Sequence, residues 1–261
     1  KADICSQPNQ KLLNYPTIMI KLGLIGKNID YSFSRKYFTE KFENESIDGL
    51  YSNYDCATPE EVKNLLDTNE DCHGFNVTIP YKEVVIPYLD ELNKHASAIG
   101  AINTIKRLTN GKLKGFNTDY LGFRKSLQPF LTVQKHTHAL ILGTGGASKA
   151  IAYALELEDI SFKFVSRTPK KDQFSYDALN AALLSKYTLI INTTPLGTYP
   201  NITDCPKIPY RLLSKNHLLY DLVYNPVETQ FLKNGKEHGT RICNGYEMLK
   251  LQAEAAWKIW N

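Results

Sequence analysis

At 261 residues and 29.6 kDa the chain is long enough for one large domain or two of medium size. Hydrophobic residues at 43% against 22% charged exclude a disordered chain, and no apolar run reaches transmembrane length. A net charge of +4 without a Lys/Arg block suits an anionic small molecule at least as well as a nucleic acid.

Residues 1–17 are polar, are broken by Pro8 and Pro16, and lack a signal-peptide hydrophobic core. Met19 reads as a natural start and the preceding stretch as an extension outside the fold. A strand over 19–25 runs into Gly26, Ser34 is placed to cap a helix over 35–45, and 49–54 is a second short strand. Thr58-Pro59-Glu60-Glu61 is a strong helix start, with a capping threonine, proline at the first position and glutamate at the third. A strand over 75–79 follows, then a helix carrying Lys82. Asn110-Gly111, between strands over 102–108 and 112–117, is the best hairpin signal in the chain.

The rhythm then changes. Ala139-Leu140-Ile141-Leu142 is the continuous apolar run of a strand buried in a parallel sheet. It enters Gly143-Thr144-Gly145-Gly146-Ala147-Ser148, and a helix over 149–157 follows. Strands over 162–165, 188–191, 218–223 and 240–243 alternate with helices over 177–184 and 228–238, the pattern of a doubly wound α/β domain. A last helix over 246–260 has no strand after it and is free to pack back on the first half.

A glycine turn between strand and helix lets the backbone approach a pyrophosphate while the helix N-terminus offers amide donors. Here the turn is G-x-G-G-A-S, with Ser148 where the common fingerprint has its third glycine. Its place at the head of a β-α-β-α-β series makes a dinucleotide the expected ligand. The end of the next strand selects the nucleotide. Ser166-Arg167-Thr168-Pro169-Lys170-Lys171 has no acid for a ribose hydroxyl but has a hydroxyl and three cations, which suit the 2′-phosphate of NADP. The five cysteines (Cys5, Cys56, Cys72, Cys205, Cys243) are scattered and form no C-x-x-C pair, which predicts reduced thiols in the cytoplasm and no structural metal.

In Asn76-Val77-Thr78-Ile79-Pro80-Tyr81-Lys82 a lysine sits where a strand hands over to the next element. There a helix dipole would disfavour its charged form. With Asp119 of Asn117-Thr118-Asp119 it offers an amine and a carboxylate, the two partners of a proton-transfer site. Taken alone, the stretch fits a solvated surface lysine better.

These segments together resemble the shikimate dehydrogenase family, over nearly everything from Met19 to Trp260. Gly26 to Ser34 is similar to the family's G-x-P-I-x-x-S-x-S segment, Asn76 to Lys82 to N-V-T-x-P-x-K, Gly100 to Thr104 to G-A-x-N-T, and Gly115 to Asp119 to G-x-N-T-D. In the second half, Ser166 to Lys171 resembles the N-R-T-x-x-[RK] clamp, Asn192 to Gly197 N-x-T-P-L-G, Asp221 to Pro226 D-L-V-Y-N-P, and Gly245 to Gln252 G-x-x-M-L-x-x-Q. The resemblance implies that Lys82 is the catalytic acid/base with Asp119 as its partner. It implies substrate ligands at Ser32, Ser34, Thr78, Asn103, Tyr224 and Gln252. It places NADP against Gly143, Thr144, Gly145, Gly146, Ala147, Ser166, Arg167, Thr168, Lys171, Thr193, Leu222 and Gly245, and implies no metal. The chain departs from the pattern at Arg35 (often proline), Ser166 (usually asparagine), Thr198 (commonly methionine) and Tyr120-Leu121 (usually smaller).

The fold implied is an α/β pair: a mixed-sheet substrate domain over 18–119 plus 243–261, and a Rossmann-type NADP domain over 120–242, with a cleft between them. The activity implied is reversible NADPH-dependent reduction of 3-dehydroshikimate to shikimate in aromatic amino-acid (chorismate) biosynthesis. The enzyme would be a monomer or homodimer with a small-molecule substrate and neither nucleic acid nor membrane as partner. Two other readings stand beside it, a paralogue oxidising quinate or a related ring acid and a non-catalytic NADP-binding sensor.

Overall fold

The structure, a computed structural model, describes residues 19–30 and 32–261, so the expectation about residues 1–17 lies outside the described residues. The first half of the chain builds a mixed sheet from β1 (Ile20–Gly26), β2 (Gly49–Asp55), β3 (Gly74–Val77), β4 (Glu91–Leu92), β5 (Thr104–Arg107) and β6 (Leu113–Phe116). Its order is β2-β1-β3-β5-β6-β4. β1 runs parallel to β2 and β3, whereas β5 is antiparallel to both β3 and β6 across the Asn110-Gly111 turn. Helices α1 (Phe33–Asn44), α2 (Pro59–Thr68) and α3 (Lys94–Ile99) belong to this half.

The second half is a wholly parallel sheet of β7 (His138–Leu142), β8 (Ser161–Ser166), β9 (Phe174–Ser175), β10 (Leu189–Asn192), β11 (Leu218–Asp221) and β12 (Arg241–Cys243). Its order, β12-β11-β10-β7-β8-β9, is that of the dinucleotide-binding doubly wound fold. Its helices are α4 (Asp119–Val133), α5 (Gly146–Glu156), α6 (Ala181–Lys186) and α7 (Gln230–Glu237). The strand order reverses between β7 and β10, and such a reversal opens a crevice at the carboxyl ends of the strands. The middle strands β7, β10 and β11 are apolar because both their faces are covered; Leu140, Ile141, Ile190, Ile191, Leu218 and Leu219 are fully buried.

Helix α8 (Tyr246–Trp260) leaves the second sheet and returns to the first. Ala253, Ala256 and Trp260 join the core of Leu22, Phe38, Phe42 and Tyr51. The Trp260 indole N–H donates to the Ile105 carbonyl at 2.8 Å, and Lys106 Nζ donates to the Ile259 carbonyl at 2.6 Å. Gly74 makes room for this indole, since a Cβ there would lie 2.2 Å from Trp260 Nε1 and 2.5 Å from the Ile105 carbonyl.

Several expectations change. Lys82 is not on a helix: residues 79–85 form successive turns before a 3-10 turn over Ile86–Tyr88. Pro80, Pro87 and the β-branched Val84-Val85-Ile86 between them are poor material for a regular helix. The cap of α1 is Ser32, whose Oγ accepts from Arg35 N at 3.1 Å, so the helix starts two residues earlier than the Ser34 reading. The segment 177–184 splits into a 3-10 turn (Tyr176–Ala178) and the short α6, because the Asn180 side chain caps from within by accepting from Leu183 N. Helices α3 and α4 and the short strands β4 and β9 were not read from the sequence.

Gly74→Ala is expected to push the indole away from Ile105 and destabilise the fold by about 1–3 kcal/mol, read as a lowered thermal midpoint. A second expectation concerns His136, buried beneath the second sheet. It lies 2.8 Å from Thr188 Oγ1, and its other ring nitrogen receives a hydrogen bond from Arg241 Nη2 at 3.3 Å. Burial, then the charges of Arg241 and His217, lower its pKa to about 4. The unfolded chain takes up that proton near pH 6.5 while the folded one refuses it. Stability should therefore be complete above pH 6.5 and fall as pH drops towards 4. His136→Gln should flatten that part of the melting-point profile, and an unchanged slope would refute the assignment.

Candidate active site

The Lys82–Asp119 pair assembles from two separate segments. Tyr81 is fully buried with its phenol donating to the Cys56 carbonyl at 2.7 Å, which anchors the turns around Lys82. The Lys82 carbonyl accepts from Ile102 N at 2.6 Å, and Thr78 N donates to Ile25 O at 2.9 Å. Across the sheet end, the Asn117 side chain accepts from Asp119 N and Tyr120 N at 3.0 and 3.4 Å, so it caps α4 and makes Asp119 its first residue. Lys82 Nζ then meets Asp119 Oδ2 at 2.7 Å, with both side chains largely buried. The surface-lysine reading of Lys82 is thereby excluded.

The other Asp119 oxygen accepts from Asn103 Nδ2 at 3.0 Å. The direction of that bond is fixed from behind. Tyr51 Oη donates to Asn76 Oδ1 at 2.7 Å, which turns Asn76 Nδ2 towards the Asn103 carbonyl and Thr104 Oγ1 at 3.2 and 3.3 Å. Thr104 Oγ1 in turn donates to Asn103 Oδ1 at 3.0 Å, and Thr118 N donates to the same oxygen at 2.7 Å. Asn103 must therefore present its NH2 to Asp119. Burial raises the Tyr51 pKa, so its phenol stays a donor at accessible pH.

The remaining candidate ligands surround this pair. Gln252 on α8 places Oε1 at 3.3 Å from Thr118 Oγ1 and 3.4 Å from Asn103 Nδ2. The Thr78 γ-methyl packs on Gly26, where a Cβ would lie 2.5 Å away. Ser34 is buried, while the Ser32 oxygen caps α1 and leaves its proton free to donate. Phe33 between the two serines packs edge-on against Tyr224 at 5.8 Å and Tyr246 at 6.0 Å between ring centroids. Sequence reasoning gave no role to Tyr51, Asn76, Thr104 or Thr118. Asn76, Thr104 and Thr118 stood in motifs, but Tyr51 is an ordinary strand aromatic and carried no signal.

The nucleotide candidates lie at the reversal point of the second sheet. Gly143 has φ +106°, and a Cβ there would lie 2.9 Å from Thr193 Oγ1, which itself donates to the Leu142 carbonyl at 2.7 Å. Gly145 faces open space, and Gly146 begins α5. Thr144 is exposed and Ala147 half-buried on the same turn. Ser148 is buried with its hydroxyl donating to the Gly145 carbonyl at 2.6 Å, so the residue in the third-glycine position tightens the turn. At the end of β8, Ser166 Oγ accepts from Thr168 N at 3.2 Å. Arg167, Thr168, Lys170 and Lys171 are exposed, and among the described residues none of these three cations is in an ion pair.

On the opposite wall, Gly245 abuts Leu222 so closely that a Cβ would lie 2.1 Å from the Leu222 carbonyl. Asp221 beneath this contact accepts from Asn192 Nδ2 at 2.9 Å, Thr229 Oγ1 at 2.5 Å and Val223 N at 3.0 Å. Burial nevertheless raises its pKa to about 6, against the pull of those three donors. An open glycine turn at a helix start, together with unpaired cations and no acid at the end of β8, fits a phosphorylated dinucleotide. Among the described residues, no cluster of three or more His, Cys, Asp or Glu could hold a metal ion.

Comparison with known proteins agrees with this geometry. Residues 24–105 match the shikimate dehydrogenase substrate binding domain. The chain is 39% identical over 253 residues to the shikimate dehydrogenase (NADP(+)) of Clostridium botulinum, covering 93% of this chain and 96% of the relative. A crystal structure of a shikimate dehydrogenase in complex with NADP+ superposes with a TM-score of 0.83 at 34% identity, over 93% of this chain and 90% of that one. The quinate dehydrogenase of Corynebacterium glutamicum in complex with NAD superposes with the same TM-score at 25% identity, over 93% and 94% of the two chains. With this identity spanning nearly its whole length, the chain belongs to the shikimate dehydrogenase family.

Proposed function

We propose that the protein is an NADP-dependent shikimate dehydrogenase, reversibly reducing 3-dehydroshikimate to shikimate in aromatic amino-acid (chorismate) biosynthesis. The single observation that carries this reading is the largely buried Lys82–Asp119 pair at 2.7 Å, oriented by Asn103. NADP, when bound, supplies the hydride in one direction and accepts it in the other. Residues Gly143, Thr144, Gly145, Gly146 and Ala147 would receive its pyrophosphate. Ser166, Arg167, Thr168 and Lys171 would hold its 2′-phosphate, and Thr193, Leu222 and Gly245 would line its nicotinamide end. The four free cysteines among the described residues accord with a reducing, cytoplasmic setting.

A carbonyl that gains a hydride develops negative charge on oxygen and needs a proton there. Lys82 is assigned to give that proton in reduction and to take it back from the alcohol in oxidation. Asp119 holds the amine in place and accepts from a ring hydroxyl. Asn103, Thr78 and Gln252 can read ring hydroxyls, because amides and hydroxyls both donate and accept. Ser32, Ser34 and Tyr224 offer neutral O–H donors to the substrate carboxylate. We assign residues 18–119 and 243–261 to the substrate domain and 120–242 to the NADP domain, in keeping with the two sheets.

Lys82→Ala should lower kcat by about 10²–10⁴-fold while shikimate still binds, measured by steady-state kinetics and by titration. Unaltered turnover would sink the assignment. Arg167→Ala should weaken NADP+ binding by about 10- to 100-fold with NAD+ binding unchanged, as the loss of a charge-assisted phosphate contact requires. Equal loss for both nucleotides would place the clamp elsewhere. The quinate reading predicts far faster turnover of quinate than of shikimate, so a side-by-side rate comparison under both nucleotides decides between the ring acids.

A further inference from the structure

The helix proposed to receive the pyrophosphate is already held by an anion from the other half of the chain. Glu83, next to Lys82, places Oε2 at 2.6 Å from Lys149 Nζ in the first turn of α5. Its Oε1 lies 3.7 Å from where a Cβ of Gly146 would stand, and the Lys82 Cβ lies 3.4 Å from the same point. The Glu83 carboxylate thus lies beside the first turn of α5, paired with a lysine of that turn and close to the positive end of the helix. The glycine just outside it, Gly145, faces open space, so a second anion can approach the same helix end. The docking of α5 does not depend on Glu83 alone. His95 Nδ1 lies 2.7 Å from Tyr153 Oη farther along α5, and the Tyr153 ring packs edge-on to Tyr120 at 5.3 Å.

We propose that Glu83 sets the affinity for the cofactor by standing in for its pyrophosphate at the start of α5. This rests on the reading of α5 as the pyrophosphate site. Before the nucleotide binds, Glu83 neutralises Lys149 and the helix end. When it binds, Lys149 is shared with or given up to the pyrophosphate, and the displaced carboxylate repels the new anion. Because Glu83 follows Lys82 in the chain, the exchange reports cofactor occupancy to the loop that carries the proposed acid/base. Weaker binding of this kind favours release of the spent nucleotide, a step that often limits turnover in dehydrogenases and other enzymes that close on their ligands.

The test is equilibrium titration of the intact protein with NADP+ and with adenosine 2′-monophosphate, which carries the clamp's phosphate but no pyrophosphate. Glu83→Gln should bind NADP+ about three- to tenfold more tightly at low salt, the scale expected of two anions a few ångströms apart at a partly solvated surface. Its affinity for adenosine 2′-monophosphate should be unchanged. The gain should shrink in about 0.5 M salt, where exposed charges are screened. Lys149→Met, which leaves Glu83 in place without its partner, should bind NADP+ more weakly than the unaltered protein. An equal or weaker affinity of Glu83→Gln for NADP+ overturns the proposal, as does a gain shared by adenosine 2′-monophosphate. Failure of the unaltered protein to bind NADP+ at all would instead remove the pyrophosphate reading beneath it.

Discussion

The Asp119 carboxylate is committed on both oxygens, one to Lys82 and the other to Asn103. An amide can present either its oxygen or its NH2 to a neighbour, and only the NH2 serves a carboxylate. The buried series from Tyr51 through Asn76 and Thr104 removes that choice, because it ends with a hydroxyl proton and the Thr118 N–H both aimed at Asn103 Oδ1. Each of the elements β2, β3, β5 and α4 contributes at least one member, so the site depends on the register of the first sheet. A slip of one residue in β3 would move Asn76 to the opposite face and leave Asn103 free to turn.

The second half contributes by different means. Its parallel sheet supplies strand ends and a helix start, and its key contacts are close backbone approaches rather than side-chain networks. Gly143 against Thr193 and Gly245 against Leu222 are such approaches, at residues proposed to line the nucleotide. The Asp221 cluster beneath Gly245 is the exception. There three donors pull against the burial that raises the pKa of Asp221, and the wall carrying Leu222 and Tyr224 is fixed to Asn192 and Thr229.

Features governed by local rules were legible from the residues. The Thr58 cap, the Asn110-Gly111 hairpin and the Gly143–Ser148 turn each depend on a few adjacent residues, and each is found where those residues place it. Helix α4 was missed because Pro129 lies inside it and Gly122 interrupts its apolar stripe; tertiary packing carries the helix through both. Lys82 shows the opposite error. A helix was expected to carry it, yet the helices that approach it are α4, through Asp119, and α5, through Gly146, both from distant parts of the chain. The Tyr51 to Asp119 series was illegible for the same reason, since its members are set side by side only by strand pairing between distant segments.

Helix α8 has a consequence of another kind. Ala253, Ala256 and Trp260 complete the core around Leu22 and Phe38, and Gln252 completes the ring of polar groups at Asn103. These residues follow the whole nucleotide-binding half in the chain. A ribosome making the protein therefore finishes the segments of the second sheet before the first sheet can close its core. The second sheet is continuous in sequence from β7 to β12, so its contacts can form as one uninterrupted unit. The first sheet must meanwhile keep Leu22, Phe38 and Trp260's place at Gly74 uncovered. The core of the first sheet therefore closes only with a segment that follows the whole of the second sheet in the chain.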